Sequence, residues 1–150
     1  MKKILISACL LGERCRYDGK SKPMKKDLID KLKREYTLFP VCPEVMGGLL
    51  TPRDPCEICG KCVMTADGVE CTSEYTKGAE AALKIALENK VSFCILKSKS
   101  PSCGNEYIYD GSYTGTLKPG KGITADLLEK SGFVIYNETQ TDFIFDKEIE

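Results

Sequence analysis

The run Val91-Ser92-Phe93-Cys94-Ile95-Leu96-Lys97-Ser98-Lys99-Ser100-Pro101-Ser102-Cys103-Gly104 changes character in one step. Its first six residues are apolar enough for a buried strand. The last eight are hydroxyls, two lysines, a proline, a cysteine and a glycine, the composition of a loop. In open α/β sheets the ligand crevice lies beyond the carboxyl ends of the strands, which directs attention to Cys103. Two other short apolar runs end the same way. Ile4-Leu5-Ile6-Ser7-Ala8 leads into Cys9, and Leu38-Phe39-Pro40-Val41 leads into Cys42, with Pro43 and Glu44 behind it.

Between these runs the apolar positions recur at helical spacing. Met24, Leu28, Ile29 and Leu32 predict a helix over 23–35, with Pro23 in its first turn. Tyr75, Ala79, Ala82, Leu83, Ala86 and Leu87 predict another, capped by Thr72 or Ser73. A third is expected over 123–131, stopped by Gly132. Residues 107–111 read as a short strand entering a turn, 133–136 as a further strand, and 143–145 as a strand or packed tail. Strands alternating with helices favour βαβ crossovers and a mostly parallel sheet, so the fold class is α/β. The segment 52–71, with Pro52, Pro55 and several cysteines, is expected to be a long irregular loop inserted in a single domain spanning 1–150.

Composition narrows the function. Lys plus Arg and Asp plus Glu each number 22, so no net field draws the chain to nucleic acid or an anionic membrane, and a small-molecule partner is expected. The apolar run after Met1-Lys2-Lys3 is too short for a signal-peptide core, and nothing approaches the roughly 20 apolar residues of a membrane span. A cytoplasmic protein, monomeric or homodimeric, is the expectation. There nine cysteines, an odd number, point to metal, cluster or catalytic thiol chemistry rather than a disulfide framework. The absence of histidine removes the usual general base and any zinc site needing imidazole.

If Cys9, Cys42 and Cys103 leave the same sheet edge, three thiolates converge, one short of a closed four-thiolate site. A cubane iron-sulfur cluster with three cysteine ligands keeps one iron open as a thiophilic Lewis acid. Glu44 is then the nearest proton-transfer group, and Ser98, Ser100 and Ser102 can orient water or substrate. The competing reading is that each cysteine only fills space, as buried cysteines commonly do and as Cys94 inside its strand is expected to. A thiol-disulfide redox role for Cys59 and Cys62 lacks the strand-to-helix setting that such a pair needs.

The motifs resemble one family in order along the chain. Ser7-Ala8-Cys9-Leu10-Leu11-Gly12 with Cys15-Arg16-Tyr17-Asp18-Gly19 comes first, then Pro40-Val41-Cys42-Pro43-Glu44-Val45-Met46-Gly47-Gly48-Leu49 with Thr51-Pro52-Arg53. Leu96 to Gly104 with Ile108-Tyr109-Asp110-Gly111 completes the set. Together they are similar to the thiouracil desulfidases. The resemblance implies a Rossmann-like three-layer fold, a [4Fe-4S] cluster on Cys9, Cys42 and Cys103, and non-redox removal of sulfur from thiouracil as hydrosulfide. It implies catalytic roles for Glu44 and Ser100. Arg16, Asp18, Ser98 and Ser102 are candidate substrate contacts, with an ion pair inside its own loop as the competing reading of Arg16 and Asp18. The alternative function is a non-catalytic zinc or iron-sulfur binding module.

The chain departs from the family's usual pattern after Arg53. Cys56, Cys59 and Cys62 form C-x-x-C-x-x-C, and Cys71 makes four, a candidate zinc or second-cluster site on a loop that borders the pocket. Gly115 to Lys121 satisfies G-x-x-x-x-G-K but is followed by Gly122, not Ser or Thr, and reads as a flexible Gly-Pro turn. The lysine pairs of the helix over 23–35 read as a solvated face.

Overall fold

The computed structural model describes residues 1–142. Four parallel strands form the central sheet in the order β2-β1-β5-β8. They are β1 (Lys2–Ser7), β2 (Tyr36–Val41), β5 (Phe93–Leu96) and β8 (Ile135–Asn137). The helices are α1 (Lys26–Glu35), the short α2 (Pro43–Met46), α3 (Thr72–Asn89) and α4 (Ile123–Lys130). Side-chain alternation along β1 makes the layers. Ile4 and Ile6 pack with Leu28 and Leu32 of α1, while Leu5 packs with Ala82 and Ala86 of α3 and Leu128 of α4. Ile4, Leu5 and Ile6 are fully buried, each stabilising the sheet by about 1.5–3 kcal/mol relative to exposure. The expected α/β architecture with a mostly parallel sheet is observed.

Several boundaries differ from the sequence reading, each for a visible reason. The helix expected from Pro23 starts at Lys26, because the Lys22 and Met24 N–H groups donate to the Cys9 and Leu10 carbonyls and hold this segment against the turn after β1. The cap of α3 is Cys71 rather than Thr72 or Ser73; the Thr72 hydroxyl accepts from the Val63 N–H instead. The segment expected to be irregular up to Cys71 contains an antiparallel hairpin of β3 (Cys56–Cys59) and β4 (Cys62–Thr65). The Gly-Pro turn after Gly115 includes β7 (Leu117–Pro119), paired with β6 (Tyr107–Tyr109). The strand expected at 133–136 is β8, displaced because the Phe133 N–H still closes the end of α4 on Leu128. The strand or tail expected at 143–145 lies outside the described residues.

The order β2-β1-β5 decides where a ligand can sit. The chain leaves β1 for β2 on one side and returns to β5 on the other, which makes the carboxyl edge of β1 and β5 a topological switch point.

Candidate active site

Cys9 sits in the 3-10 turn Ala8–Leu11 that follows β1, Cys42 caps α2 directly after β2, and Cys103 lies in the loop after β5. All three line one cavity of about 700 Å³. Ser7 ties the loops at the switch point, its hydroxyl lying 3.6 Å from the Cys103 sulfur and accepting from the Lys97 N–H at 2.9 Å. Gly122 anchors the Cys103 loop from below. A side chain there would overlap the Ser102–Cys103 peptide, while the N–H groups of Thr124 and Ala125 at the start of α4 hold the Ser102 carbonyl. The G-x-x-x-x-G-K spacing thus ends in a glycine needed for packing.

Glu44 is carried by α2, which is pressed on α3 backbone to backbone. A β-carbon at Gly78 would overlap the Pro43 carbonyl, and one at Gly47 the Glu74 carbonyl. The Glu44 and Arg53 side chains, 13% and 9% exposed, form an ion pair, with Arg53 Nε donating to Oε1 at 3.0 Å. Ser102 donates to Glu44 Oε2 at 3.1 Å. The Ser100 hydroxyl accepts from the Ser102 and Cys103 N–H groups, both at 3.0 Å, and lies 2.9 Å from the Ser102 hydroxyl. Since the Ser102 proton goes to Glu44, the Ser100 proton goes to Ser102. A directed chain therefore runs from Ser100 through buried Ser102 to Glu44. From the far side the hydroxyl of Tyr75, on α3 and 2% exposed, meets Glu44 and Cys56.

Ser98 and Arg16 line the cavity as well. Ser98 is committed through both its N–H and hydroxyl to Glu138, which also pairs with Lys97 at 2.8 Å. Asp18 is not part of the lining. It pairs with Arg16 at 3.3 Å and accepts from the Lys20 N–H, which is the ion pair within the loop. Cys94 is wholly buried in β5.

The thiols respond to their setting. Burial and the neighbouring Cys42 push Cys9 up to about 11, and burial pushes Cys103 up to about 12 despite the Ser102 and Ser7 hydroxyls beside its sulfur. Cys42 is drawn down to about 7 by its hydrogen bond with Cys15, whose own thiol is pushed up by the same bond and by burial. Cys42 disfavours the ionisation of Cys9, and Cys9 that of Cys103, so three thiols from three loops suit a cationic group that neutralises them together. No three His, Cys, Asp or Glu side chains among the described residues are spaced to hold a single metal ion. A multi-iron cluster, with each thiolate on a different iron, does not need that spacing.

The cysteine-rich hairpin behaves differently. Cys56 and Ile58 face inward with Val63, Cys71 and Tyr75, whereas Cys59 and Cys62, cross-strand partners, are half-buried on the opposite face. Cys59 lies 3.6 Å from the Gly111 carbonyl and from the Tyr113 hydroxyl. The four cysteines expected to share zinc or a second cluster are thus split into two pairs by strand alternation, and the structure does not assemble that set. The hairpin does border the cavity, through Cys56 and Glu57.

Sequence reasoning missed Arg53, Tyr75, Ser7 and Cys15 as members of the site. Arg53 and Cys15 stand inside the quoted motifs, but only the fold reveals their partners. Tyr75 carries the signature of a core residue and nothing more.

The model of the 2-thiouracil desulfurase family matches residues 4–140. The chain belongs to this family. The sequence is 39% identical over 151 residues to YbbK of Bacillus subtilis, an uncharacterized protein, covering 94% of this chain and 99% of that one. The fold matches a solved structure of the [4Fe-4S]-dependent thiouracil desulfidase TudS with a TM-score of 0.92 and 42% identity, covering 97% of this chain and 96% of that one. The resemblance read from the motifs is borne out. No helix among the described residues is long and apolar enough to cross a membrane.

Proposed function

We propose that this chain is an iron-sulfur-dependent desulfidase that hydrolyses a thiouracil-type small molecule without electron transfer. Cys9, Cys42 and Cys103 would hold the [4Fe-4S] cluster. When bound, the cluster supplies a thiophilic Lewis acid that draws charge from the thiocarbonyl carbon. The chain's own residues manage the proton traffic. Ser100 orients the Ser102 hydroxyl, whose remaining lone pair takes the proton of the attacking water as Ser102 passes its own to Glu44, and Glu44 returns it on collapse. Arg53 fixes the other oxygen of Glu44, so only Oε2 faces the serines. Atoms and electrons balance as thiocarbonyl plus water giving carbonyl plus hydrogen sulfide. Arg16, which lines the cavity and pairs with Asp18 through Nη1, would meet a ring carbonyl with its remaining donors, whereas Asp18 and Ser98 are occupied by structural partners.

The observation that carries this reading is the continuous chain Ser100–Ser102–Glu44, whose middle hydroxyl also lies 3.5 Å from the Cys103 sulfur. The test is anaerobic reconstitution with iron and sulfide, then thiouracil in ¹⁸O-water without an electron donor. Uracil labelled at the former thiocarbonyl and one hydrosulfide per turnover are expected. Glu44→Gln should lower kcat by about 10²–10⁴-fold with iron content intact. A requirement for reductant, unlabelled product or an unimpaired Glu44→Gln would contradict the mechanism. Iron bound without any sulfur release would favour the non-catalytic binding module.

A further inference from the structure

We propose that Cys59 and Cys62 are an oxidation site: a small disulfide of the glutathione class joins them across the end of the β3–β4 hairpin, and the bond loosens the turn over 111–115 that walls the cavity. The site stands apart from the desulfidase reading, while its effect on substrate rests on that reading. Cys59 and Cys62 are directly opposed cross-strand partners, and both are free, half-buried thiols. Only Gly60 and Lys61 separate them, with Gly60 at φ +63, the left-handed conformation that a two-residue hairpin turn demands. Opposed residues of an antiparallel pair have α-carbons about 4.5–5.5 Å apart, within the roughly 4.4–6.8 Å that a disulfide spans. The hairpin thus closes the loop before the bond forms. Placed at a hairpin end rather than at a helix N-terminus, the pair lacks the activation of an exchange catalyst and suits a reversible switch.

What the bond changes is the turn that Cys59 helps to hold. Glu57 and Cys59 alternate to the same face of β3, and both reach the turn after β6. Glu57 Oε1 accepts from the Gly111 and Tyr113 N–H groups at 2.9 and 3.1 Å. The Cys59 sulfur lies 3.6 Å from the Gly111 carbonyl and from the Tyr113 hydroxyl, whose own proton goes to the Met64 carbonyl. The packing is close, since a β-carbon at Gly111 would come within 3.3 Å of that sulfur. Tyr113 stands at φ +59, a conformation that a non-glycine residue keeps only where its surroundings impose it. Tyr113, Gly115 and Glu57 all line the cavity. In the disulfide Cys59 has no proton, so both oxygens lose its S–H as a donor, and its sulfur turns to Cys62 and away from the turn. Glu57 keeps the other hold. The step balances as a dithiol and oxidised glutathione giving a protein disulfide and two reduced glutathiones. One thiolate breaks the glutathione S–S bond, the second displaces the mixed disulfide, and two electrons and both thiol protons leave with the glutathiones.

The test holds reconstituted wild type and Cys59→Ser in anaerobic glutathione buffers of rising oxidised fraction. Trapped thiols are mapped by peptide mass spectrometry, and amide hydrogen exchange is followed over 109–116. In wild type a single Cys59–Cys62 bond is expected, reversed by excess reduced glutathione, with exchange over 111–115 faster by about fivefold, as the loss of one hydrogen bond gives. KM for thiouracil should rise with it while iron content holds. Cys59→Ser, whose hydroxyl can still hold the turn, should keep slow exchange and an unchanged KM at every buffer ratio. Absence of the bond at every ratio, pairing of either thiol with a third cysteine, or a metal found on the two thiols overturns the site. A bond that leaves exchange or KM unchanged, or faster exchange in oxidised Cys59→Ser as well, overturns its action on the cavity. If Cys59→Ser does not fold, wild type before and after oxidation decides alone. A wild type that desulfurates nothing overturns only the function proposed above, because bond mapping and exchange need no turnover and still decide this inference.

Discussion

Two groups of cysteines in this molecule teach opposite lessons about spacing. Cys56, Cys59, Cys62 and Cys71 stand close together in sequence, with the separations of a metal loop, yet the hairpin turns Cys56 to one face and Cys59 to the other. Cys9, Cys42 and Cys103 are separated by dozens of residues and open into one cavity, because β2, β1 and β5 are neighbours in a parallel sheet. A C-x-x-C pair converges when its backbone curls around a ligand and diverges when it is extended, since strand side chains alternate at every residue. Ligand spacing therefore has meaning only together with backbone conformation, whereas the edge of a parallel sheet gathers residues whatever their separation.

The two regions also differ in how firmly they are held, and substitutions can break or sharpen that contrast. The largest effect on stability is expected from Arg53→Met. It leaves Glu44 buried without its cation, costing about 3–5 kcal/mol in denaturant unfolding, as breaking a buried pair generally does. Gly78→Ala should cost about 1–3 kcal/mol by forcing α2 off α3, and, because α2 carries Glu44, turnover should fall more than stability alone accounts for. Melting curves and kcat on the same samples check both.

Glu138→Gln is expected to act more weakly, and only at pH above the acid range. Burial alone would raise the Glu138 carboxyl, but Lys97 and the Ser98 N–H outweigh it and hold it below its ordinary value of 4.5. The folded state thus binds this proton less readily than the unfolded chain. The stabilisation is complete above 4.5 and is lost as pH falls through the lower folded value. Glu138→Gln should therefore be less stable than wild type above 4.5, and the difference should vanish as pH falls through that window. Smallest of all, Cys59→Ser with Cys62→Ser should shift stability by no more than about 0.5 kcal/mol, because neither thiol belongs to an assembled site. A metal-dependent loss of stability in that double variant would erase the contrast.

The parallel sheet was legible because its strands are short continuous apolar runs, such as Ile4-Leu5-Ile6 and Phe93 to Leu96, each stopped by a polar loop. The long helix α3 was legible from its alanine-rich face. Beyond those, the sequence is silent where the outcome depends on packing. The hairpin was hidden because Cys56-Glu57-Ile58-Cys59 looks like a ligand loop as readily as an alternating strand. Gly47 and Gly78 matter only because α2 lies directly on α3, and Arg53 and Tyr75 matter only because both reach the same carboxylate. Glu44 and Ser100 were legible through the family resemblance, but the Ser102 hydroxyl that joins them was visible only once the loop had a shape.

The central claim is that the strand-end cysteines, and not the compact motif, hold one cluster. Iron and inorganic sulfide should be counted after anaerobic reconstitution of wild type, of Cys9→Ala, Cys42→Ala and Cys103→Ala, and of the hairpin variant Cys59→Ser with Cys62→Ser. The account predicts about four irons per chain in wild type and in the hairpin variant, and loss of the cluster in each strand-end variant. About eight irons in the wild type, or loss of iron in the hairpin variant with retention in Cys9→Ala, Cys42→Ala and Cys103→Ala, would contradict it.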